Sequence, residues 1–261
     1  MKFLKKSLGQ NFLVDKNIIK KIVNSLELKN KDIVEIGPGN GALTNEILKC
    51  NPKSLILIEK DNNFAKQLKE KYSNIRQIKI FNSDILKFDI EKYIKKKSII
   101  YGNLPYNISS QILVKFLKFS KLPPKYNDLI FMFQKELGEK IMGNYPGKHY
   151  GRLSILTNLK LSVYKSFFVS PNCFHPKPKV DSTVIHFKPK INTNLNIKNI
   201  NNLEKITNIF FSNKRKMINK NIKKILNKNQ ISLLIDLDLS LRPAEIRPEM
   251  YYKITELYEE K

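Results

Sequence analysis

The segment DIVEIGPGNGALTNEIL, residues 32–48, joins an apolar run, three closely spaced glycines and a second, amphipathic run. This order is typical of a strand that turns through a glycine loop into a helix. Gly37, Gly39 and Gly41 allow a tight turn, and without a Cβ atom they let the backbone approach a ligand. The stretch therefore predicts a βα unit with a ligand-binding loop.

The same rhythm continues along the chain. Apolar runs followed by helical or loop patterns occupy the segments 54–72, 78–86, 96–119 and 126–143. Segments 153–170 and 182–190 are predicted as later strands, in a direction that fits antiparallel pairing. Alternating strands and helices predict an α/β fold with a mostly parallel, doubly wound sheet, in which functional loops lie at the carboxyl ends of the strands.

The two ends of the chain differ from this central region. Residues 1–30 combine a basic head with an amphipathic helix, for which Asp15 is the expected N-cap. Residues 189–202 are polar, rich in Asn and without glycine, and they are predicted as a linker to a helical C-terminal region. We therefore expect two domains, 1–188 and 189–261.

The composition argues against several classes of protein. No apolar run approaches the ~20 residues of a membrane span, and the N-terminus lacks the apolar core of a signal peptide, so we expect a cytoplasmic protein. Cys50 and Cys173 are far apart and in no CxxC motif, which argues against a disulfide framework or a zinc site. His149 and His175 have no cluster of partners, and His186 alternates within a strand. We therefore predict no metal.

The net charge of +25 is large for a chain of 261 residues. A positive field of this size attracts phosphate backbones, so it favours a nucleic-acid partner. The cations are mostly lysine, in a chain that is also rich in Asn and Ile, and this composition is typical of an AT-rich coding sequence. The charge alone therefore leaves the partner open.

The glycine loop and two later acids indicate the ligand. The loop lacks the GxGxxG spacing, a following GK[ST] and any cation, so a ligand with little phosphate fits best. Glu59 ends the next strand, where a carboxylate can accept from ribose hydroxyls, and Asp84 follows the third strand, where it can accept from an adenine amine. Each acid alone is also compatible with a solvated strand end or a turn. Together they predict a pocket for the adenosine of S-adenosylmethionine.

The segment NLPY, residues 103–106, lies where a fourth strand is expected to end beside that pocket. The side-chain oxygen of Asn103 and the carbonyl of Leu104 can accept the two N–H hydrogens of an adenine amine and hold this poor nucleophile in place. Pro105 stiffens the turn, and Tyr106 can stack on the base. Methyl transfer is a direct displacement that depends mainly on alignment, so no strong base is required. The alternative is a strand-ending turn with a packed tyrosine.

These motifs occur with others in an order that resembles one known family. The chain contains, in sequence, LGQNFLVD, EIGPGNGALT, IEKD, NSDIL, GNLPYNISSQIL, FMFQKELGEKI, YGRLSIL, FHPKPKVDSTVI and LRPAEI. This set resembles the ribosomal RNA adenine N6,N6-dimethyltransferases of the small subunit, and it covers nearly the whole chain. The resemblance implies a Rossmann-like class I methyltransferase domain with a mostly parallel seven-stranded sheet, followed by a small all-helical domain.

The resemblance also implies roles for individual residues. It assigns S-adenosylmethionine binding to Asn11, Leu13, Gly37, Gly39, Glu59, Asp84 and Asn103, and contacts with the target adenine to Asn103, Leu104, Tyr106 and Phe174. From the residues alone, Asn11 and Leu13 are merely a loop before a helix, and Phe174 is more typical of a core residue.

For function, the resemblance implies dimethylation of two adjacent adenines in a hairpin loop near the 3′ end of small-subunit ribosomal RNA, late in subunit assembly and without a metal. The partners would be this RNA or the assembling small subunit, and we expect a monomer that does not contact membranes. The basic segments 175–179 and 213–224 are candidates for contact with the RNA backbone.

Three other functions fit parts of the sequence. A related methyltransferase of large-subunit RNA, of the kind that confers macrolide resistance, is less compatible with FHPKPKVDS and LRPAEI. A nucleic-acid-binding factor that has lost methylation would not need the complete set of Gly37, Glu59, Asp84 and Asn103. A nicotinamide dehydrogenase would require GxGxxG and leaves NLPY unexplained.

Overall fold

The computed structural model describes residues 11–119, 123–190 and 196–260. The basic head, residues 1–10, and the centre of the predicted linker, residues 191–195, lie outside this part. The described elements begin with a short strand and a helix, continue as alternating strands and helices, and end in helices.

The strands and helices of the described ranges have the following bounds. The strands are β1 (Phe12–Leu13), β2 (Asp32–Ile36), β3 (Ser54–Glu59), β4 (Ile78–Asn82), β5 (Ser98–Asn103), β6 (Tyr126–Gln134), β7 (Leu161–Val169), β8 (Phe174–His175) and β9 (Ser182–Pro189). The helices are α1 (Lys16–Val23), α2 (Ala42–Lys49), α3 (Asn62–Lys71), α4 (Ser109–Leu117), α5 (Lys135–Met142), α6 (Arg152–Lys160), α7 (Ile200–Phe211), α8 (Asn219–Ile222), α9 (Lys228–Ser232) and α10 (Pro248–Glu259). None of these described helices is long and apolar enough to cross a membrane.

A seven-stranded sheet with the order β4-β3-β2-β5-β6-β9-β7 organises the first part of the chain. The strands β4, β3, β2, β5 and β6 are parallel to their neighbours, and β9 pairs with β6 in the antiparallel direction. A separate antiparallel pair joins β1 to β8, with Leu13 opposite Phe174. The predicted α/β fold with a mostly parallel seven-stranded sheet is confirmed.

The central strands are buried because they carry apolar side chains on both faces. In β2, for example, Ile33, Val34 and Ile36 are all buried although they alternate between the two faces of the sheet. Continuous apolar strands of this kind are typical of parallel sheets covered by helices on both sides. The ends of such strands, where they meet the loops, are therefore the expected place for a functional site.

Aspartates cap two helices that flank the sheet. The predicted N-cap Asp15 accepts from the backbone amides of Asn17 and Ile18 at 2.8 and 2.9 Å, which satisfies donors at the start of α1. Asp61 caps α3 in the same way, directly after the end of β3. Because Asp61 lies two residues after the end of β3, its cap fixes the turn at that carboxyl end of the sheet.

The prediction of a strand over residues 153–170 is wrong for its first half. Helix α6 occupies Arg152–Lys160, and β7 begins only at Leu161. Ile155, Leu156 and Leu159 are buried and recur at helical spacing. The Ser154 hydroxyl also accepts from the amide of residue 151 at 3.0 Å, which closes the first turn of the helix.

The chain divides into two compact units, Met1–Gly138 with Val163–Pro189, and Glu139–Ser162 with Lys190–Lys261. The second unit therefore differs from the predicted range 189–261, because it also contains residues 139–162. Hydrogen bonds explain this addition: the Tyr252 hydroxyl donates to the Ile155 carbonyl at 2.9 Å, and the Tyr150 hydroxyl donates to the Ile246 carbonyl at 2.8 Å.

Candidate active site

A pocket lies at the carboxyl ends of β2, β3 and β5 within the first unit. At this point the strand order reverses, because the chain leads from β2 to β3 and β4 on one side and then to β5 on the other. Ligands of open α/β sheets bind at such switch points. The lining includes every residue predicted for the site except Phe174, namely Asn11, Leu13, Gly37, Gly39, Glu59, Asp84, Asn103, Leu104 and Tyr106.

The glycine loop adopts a conformation that requires its glycines. Gly37, Gly39 and Gly41 have φ angles of +67°, +55° and +83°, in a region that residues with a Cβ atom seldom adopt. A Cβ atom on Gly39 would lie 2.7 Å from the ring of Phe12. The loop is therefore packed closely against β1, and its backbone lines the pocket.

Both carboxylate oxygens of Glu59 accept from backbone amides. Oε2 accepts from Gly39 at 3.0 Å, and Oε1 accepts from Asp61 at 2.8 Å. Burial raises the pKa of the carboxyl, and these hydrogen bonds oppose that rise. Since each oxygen has two lone pairs, the carboxylate can still accept from ligand hydroxyls. Glu59 thus ties the end of β3 to the glycine loop while it faces the pocket.

Asp84 pairs with a lysine at the edge of the pocket. Its Oδ2 lies 2.8 Å from Lys60 Nζ, and its Oδ1 accepts from the Leu86 amide at 2.9 Å. The hydrogen bond from Lys60 lowers the pKa of this carboxyl more than its partial burial raises it. Asp84 therefore closes a turn, as the alternative interpretation holds, and also presents a carboxylate to the pocket.

A third carboxylate, Glu35, lines the pocket and was missed by the sequence-based prediction. It is 1% exposed, and it accepts from the Thr44 hydroxyl at 2.6 Å. Burial raises its pKa to about 7, with a further contribution from the negative charge of Glu59. The available signal was a charged residue inside the apolar strand DIVEI, because acids are seldom fully buried without a partner.

The side chain of Asn103 is oriented by the segment that precedes α1. Its Nδ2 donates to the carbonyl of Asn11 at 3.2 Å, and this bond does not use the side-chain oxygen. The next side chain, Leu104, is 1% exposed, and a Cβ atom on Gly102 would lie 2.5 Å from it. The glycine therefore makes room for Leu104, and the end of β5 is held on both sides of Asn103.

The ring of Tyr106 is anchored at its polar end. Its hydroxyl lies 2.5 Å from the hydroxyl of Ser182, the first residue of β9. Burial raises the pKa of the phenol, and the bond to Ser182 opposes this rise. Ser182 is 76 positions away in sequence, so nothing local to the NLPY segment indicated it.

Phe174 is the predicted site residue that the structure does not bring into the pocket. It is 4% exposed and belongs to a core cluster that also contains Leu13 and Val169. Its position opposite Leu13 in the β1–β8 pair places it behind the pocket wall. This is the core position that the residues alone favour, and the contact of Phe174 with the target adenine stays a prediction.

Histidine in this protein does not form part of the pocket. The Nε2 atom of His186 lies 2.6 Å from Asp128 Oδ1, both side chains are buried, and the ring of Tyr164 packs against the imidazole. This is the structural role expected for His186. Across the described ranges, no group of three or more His, Cys, Asp or Glu side chains is placed to hold a metal ion.

The pocket is acidic although the chain carries a net charge of +25. Its described lining contains the carboxylates of Glu59 and Asp84, the buried carboxyl of Glu35 and one ammonium group, Lys60. Such a wall attracts a cation and repels a polyphosphate. S-adenosylmethionine carries a sulfonium, an ammonium and a single carboxylate, and its adenosine offers hydroxyl and amine donors. The residues present therefore fit this cofactor.

Two solved structures share this fold over nearly the whole chain. A dimethyladenosine transferase from Plasmodium falciparum superposes with a TM-score of 0.77 at 26% identity, covering 95% of this chain and 98% of that one. The 23S rRNA methyltransferase ErmE superposes with a TM-score of 0.67 at 24% identity, covering 95% and 100%. The fold and the pocket define a Rossmann-like methyltransferase.

Sequence relatives narrow this class to one family. A family model for ribosomal RNA adenine dimethylase matches residues 1–260. Two relatives named ribosomal RNA small subunit methyltransferase A are 44% identical in Pelagibacter ubique (98% of this chain, 97% of the relative) and 39% identical in Malacoplasma penetrans (97% and 91%). The chain belongs to the ribosomal RNA adenine dimethylase family, so the resemblance inferred from its motifs is confirmed. It is an enzyme, an S-adenosylmethionine-dependent rRNA adenine methyltransferase.

Proposed function

We propose that the enzyme dimethylates the N6 amines of two adjacent adenines in the 3′-terminal hairpin loop of small-subunit ribosomal RNA, during late assembly of that subunit. The observation that carries this proposal is one pocket that joins an acidic half, around Glu59 and Asp84, to the acceptor pair of Asn103 and Leu104. The relatives named as small-subunit methyltransferases support the choice of RNA.

In this proposal, two oxygen acceptors hold the target amine. The lone pair of the adenine amine is delocalised into the ring, so the nitrogen is a poor nucleophile. Accepting its two N–H hydrogens at Asn103 Oδ1 and the Leu104 carbonyl favours a more pyramidal and more reactive nitrogen. The hydrogen bond from Asn103 to Asn11 fixes the amide beforehand, so little rearrangement accompanies the reaction.

Tyr106 supports the base itself. A base in a duplex cannot reach such a pocket, so the substrate adenines must be unpaired or extruded from the stack. The Tyr106 ring offers them a stacking surface, and its bond to Ser182 keeps the ring in place.

The bound cofactor supplies a methyl group on a positively charged sulfur. Glu59 and Asp84 would hold its adenosine, and Glu35 adds negative charge to the same wall when its carboxyl is ionised. In each of the two transfers to one adenine, an N–C bond would form as the C–S bond breaks and the sulfur loses its charge, and one amine proton would leave to solvent. No side chain has to act as a strong base before attack, and the proposal involves no metal.

The remaining parts of the proposal concern docking. Residues 189–261 would form a helical RNA-docking region, in which the basic segment 213–224 contacts phosphates and so positions the RNA without reading its sequence. The enzyme would act in the cytoplasm as a monomer, on the small-subunit RNA or the assembling small subunit.

The test is methyl transfer from labelled S-adenosylmethionine to purified ribosomal subunits that lack the modification. We expect label in the RNA of the small subunit, with large subunits as the control substrate. Label found only in large-subunit RNA would reassign the substrate to that of the 23S enzymes.

A further inference from the structure

The outer face of β7 carries two exposed aromatic rings. Tyr164 is 53% exposed and Phe168 is 59% exposed. They are four positions apart on one strand, so they share a face and lie about 13 Å from each other. Large rings exposed together on one surface are typical of an interaction site.

Each ring lies beside a lysine of a neighbouring element. Lys188 Nζ is 4.2 Å from the centroid of the Tyr164 ring, and Lys135 Nζ is 5.0 Å from that of Phe168. Proteins usually bind unpaired nucleic acid with aromatic rings that stack on the bases and with positively charged groups that contact the phosphates. A ring has two faces, and a flexible lysine side chain can turn from its ring toward a phosphate.

The Phe168 end of this face leads to the base-binding side of the pocket. Lys135 Nζ is 3.8 Å from Asp181 Oδ2, and Asp181 precedes Ser182, whose hydroxyl holds Tyr106. All of these residues belong to the first compact unit. Three contacts therefore link Phe168 to Tyr106, namely Phe168 with Lys135, Lys135 with Asp181, and Ser182 with Tyr106.

We propose that Tyr164 and Phe168, with Lys135 and Lys188, form a stacking platform for unpaired nucleotides that flank the target adenine. This inference rests on the proposed function, because it assigns a second surface to the same RNA. β7 is an edge strand, so pairing with a second copy of the chain is the competing occupant. The lysines beside both rings and the net charge of +25 favour RNA and oppose self-association.

The test uses Phe168→Ala, because Phe168 is the more exposed ring. Its KM for small-subunit particles should rise about tenfold, as expected for the loss of one stacked base, with kcat and the cofactor Kd unchanged. Phe168→Tyr keeps a ring and should stay within about twofold of wild type. Val163→Ala, at a 40% exposed position on the other face of the same strand, is the matched control.

Three outcomes would overturn the platform. The first is an equal KM for Phe168→Ala and Val163→Ala. The second is a wild-type dimer that Phe168→Ala dissociates, which would assign the face to self-association. The third is unchanged affinity of Phe168→Ala for a labelled single-stranded RNA in fluorescence anisotropy. The anisotropy assay needs no methylation, so it tests the platform independently of the proposed function. If the wild-type enzyme failed to modify small subunits, that result would count against the proposed function and not against the platform.

Discussion

The hydroxyl of Tyr106 lies 2.5 Å from the hydroxyl of Ser182, so the turn after β5 is fastened to the first residue of β9. Tyr106 lines the pocket, whereas Ser182 is fully buried. The orientation of the ring therefore depends on a strand that is distant in sequence and antiparallel to its neighbour β6.

Removing this hydrogen bond should weaken RNA binding without removing the ring. We expect Tyr106→Phe and Ser182→Ala each to raise the KM for small-subunit particles about threefold to tenfold, which corresponds to a hydrogen bond of roughly 1 kcal/mol. The KM of the double variant should not exceed the higher KM of the two single variants, because both changes remove the same bond. Additive losses in this double-mutant cycle would show that the pair does not act as a unit.

Asn103→Ala removes the proposed side-chain acceptor of the target amine. We expect kcat to fall by about a hundredfold or more, since misplacement of reacting groups has effects of this size. Cofactor binding, measured by calorimetry, should be weakened but detectable. Asn74→Ala, at an exposed asparagine of the first unit that does not line the pocket, is the control and should keep most of its activity. Full turnover by Asn103→Ala would exclude the acceptor role.

Glu35 should make cofactor binding depend on pH. Burial raises its pKa to about 7, so much of the carboxyl is protonated below neutrality. A cationic ligand favours the ionised form, and we expect the Kd for S-adenosylmethionine to tighten by up to about tenfold between pH 6 and 8. Glu35→Gln should bind more weakly and lose this dependence. An unchanged pH profile in the variant would assign the dependence to another group.

The same carboxyl should affect the stability of the ligand-free enzyme in the opposite sense. The pKa of Glu35 is raised above its ordinary value of 4.5, so the folded state binds the proton more tightly than the unfolded state. Its contribution to stability is present below pH 4.5 and is lost as pH rises toward 7. Between pH 4.5 and 7, the melting temperature of the wild type should fall relative to that of Glu35→Gln. The same dependence of melting temperature on pH in both proteins would contradict this prediction.

Gly39→Ala should damage both the loop and the cofactor site. The residue has a φ angle of +55°, where an alanine costs about 1–2 kcal/mol, and its Cβ atom would lie 2.7 Å from Phe12. We expect a lower melting temperature and a weaker cofactor Kd. Gly151→Ala is the matched control, because its φ of 174° suits any residue and its Cβ atom would meet nothing closer than 3.7 Å. Equal behaviour of the two variants would contradict the role given to Gly39.

Salt should affect the affinity for RNA much more than the affinity for the cofactor. If phosphate contacts dominate RNA binding, the affinity for RNA should fall steeply when the salt concentration is doubled, whereas cofactor binding should change little. Parallel titrations of both ligands over one salt series measure this difference. A shallow slope for RNA would show that the charge of +25 contributes little to docking.

The parts of the fold and the site that depend on local pattern were predictable from the sequence. The βα rhythm, the glycine loop and the Asp15 cap all follow from spacing within a few residues. Glu59, Asp84 and Asn103 were found because parallel strands bring their carboxyl ends together, so that order along the chain predicts proximity.

The missed features depend on tertiary contacts. Ser182 reaches Tyr106 across 76 positions, and α6 was misassigned because short apolar runs suit a strand or a helix equally. Glu35 lies in the segment DIVEI, whose apolar pattern predicts a strand but does not show that its acid is buried beside the pocket. Phe174 is buried here beside Leu13, and its contact with the base stays a prediction.

The most direct test of the central claim is the identity of the modified nucleoside. Unmodified small subunits would be incubated with the enzyme and S-adenosylmethionine, and the RNA would be digested and analysed by mass spectrometry. We predict N6,N6-dimethyladenosine at two adjacent positions in the 3′-terminal hairpin, and its near absence with Asn103→Ala. Methylation confined to another base or another RNA, or dimethyladenosine at wild-type level with Asn103→Ala, would contradict the proposed function.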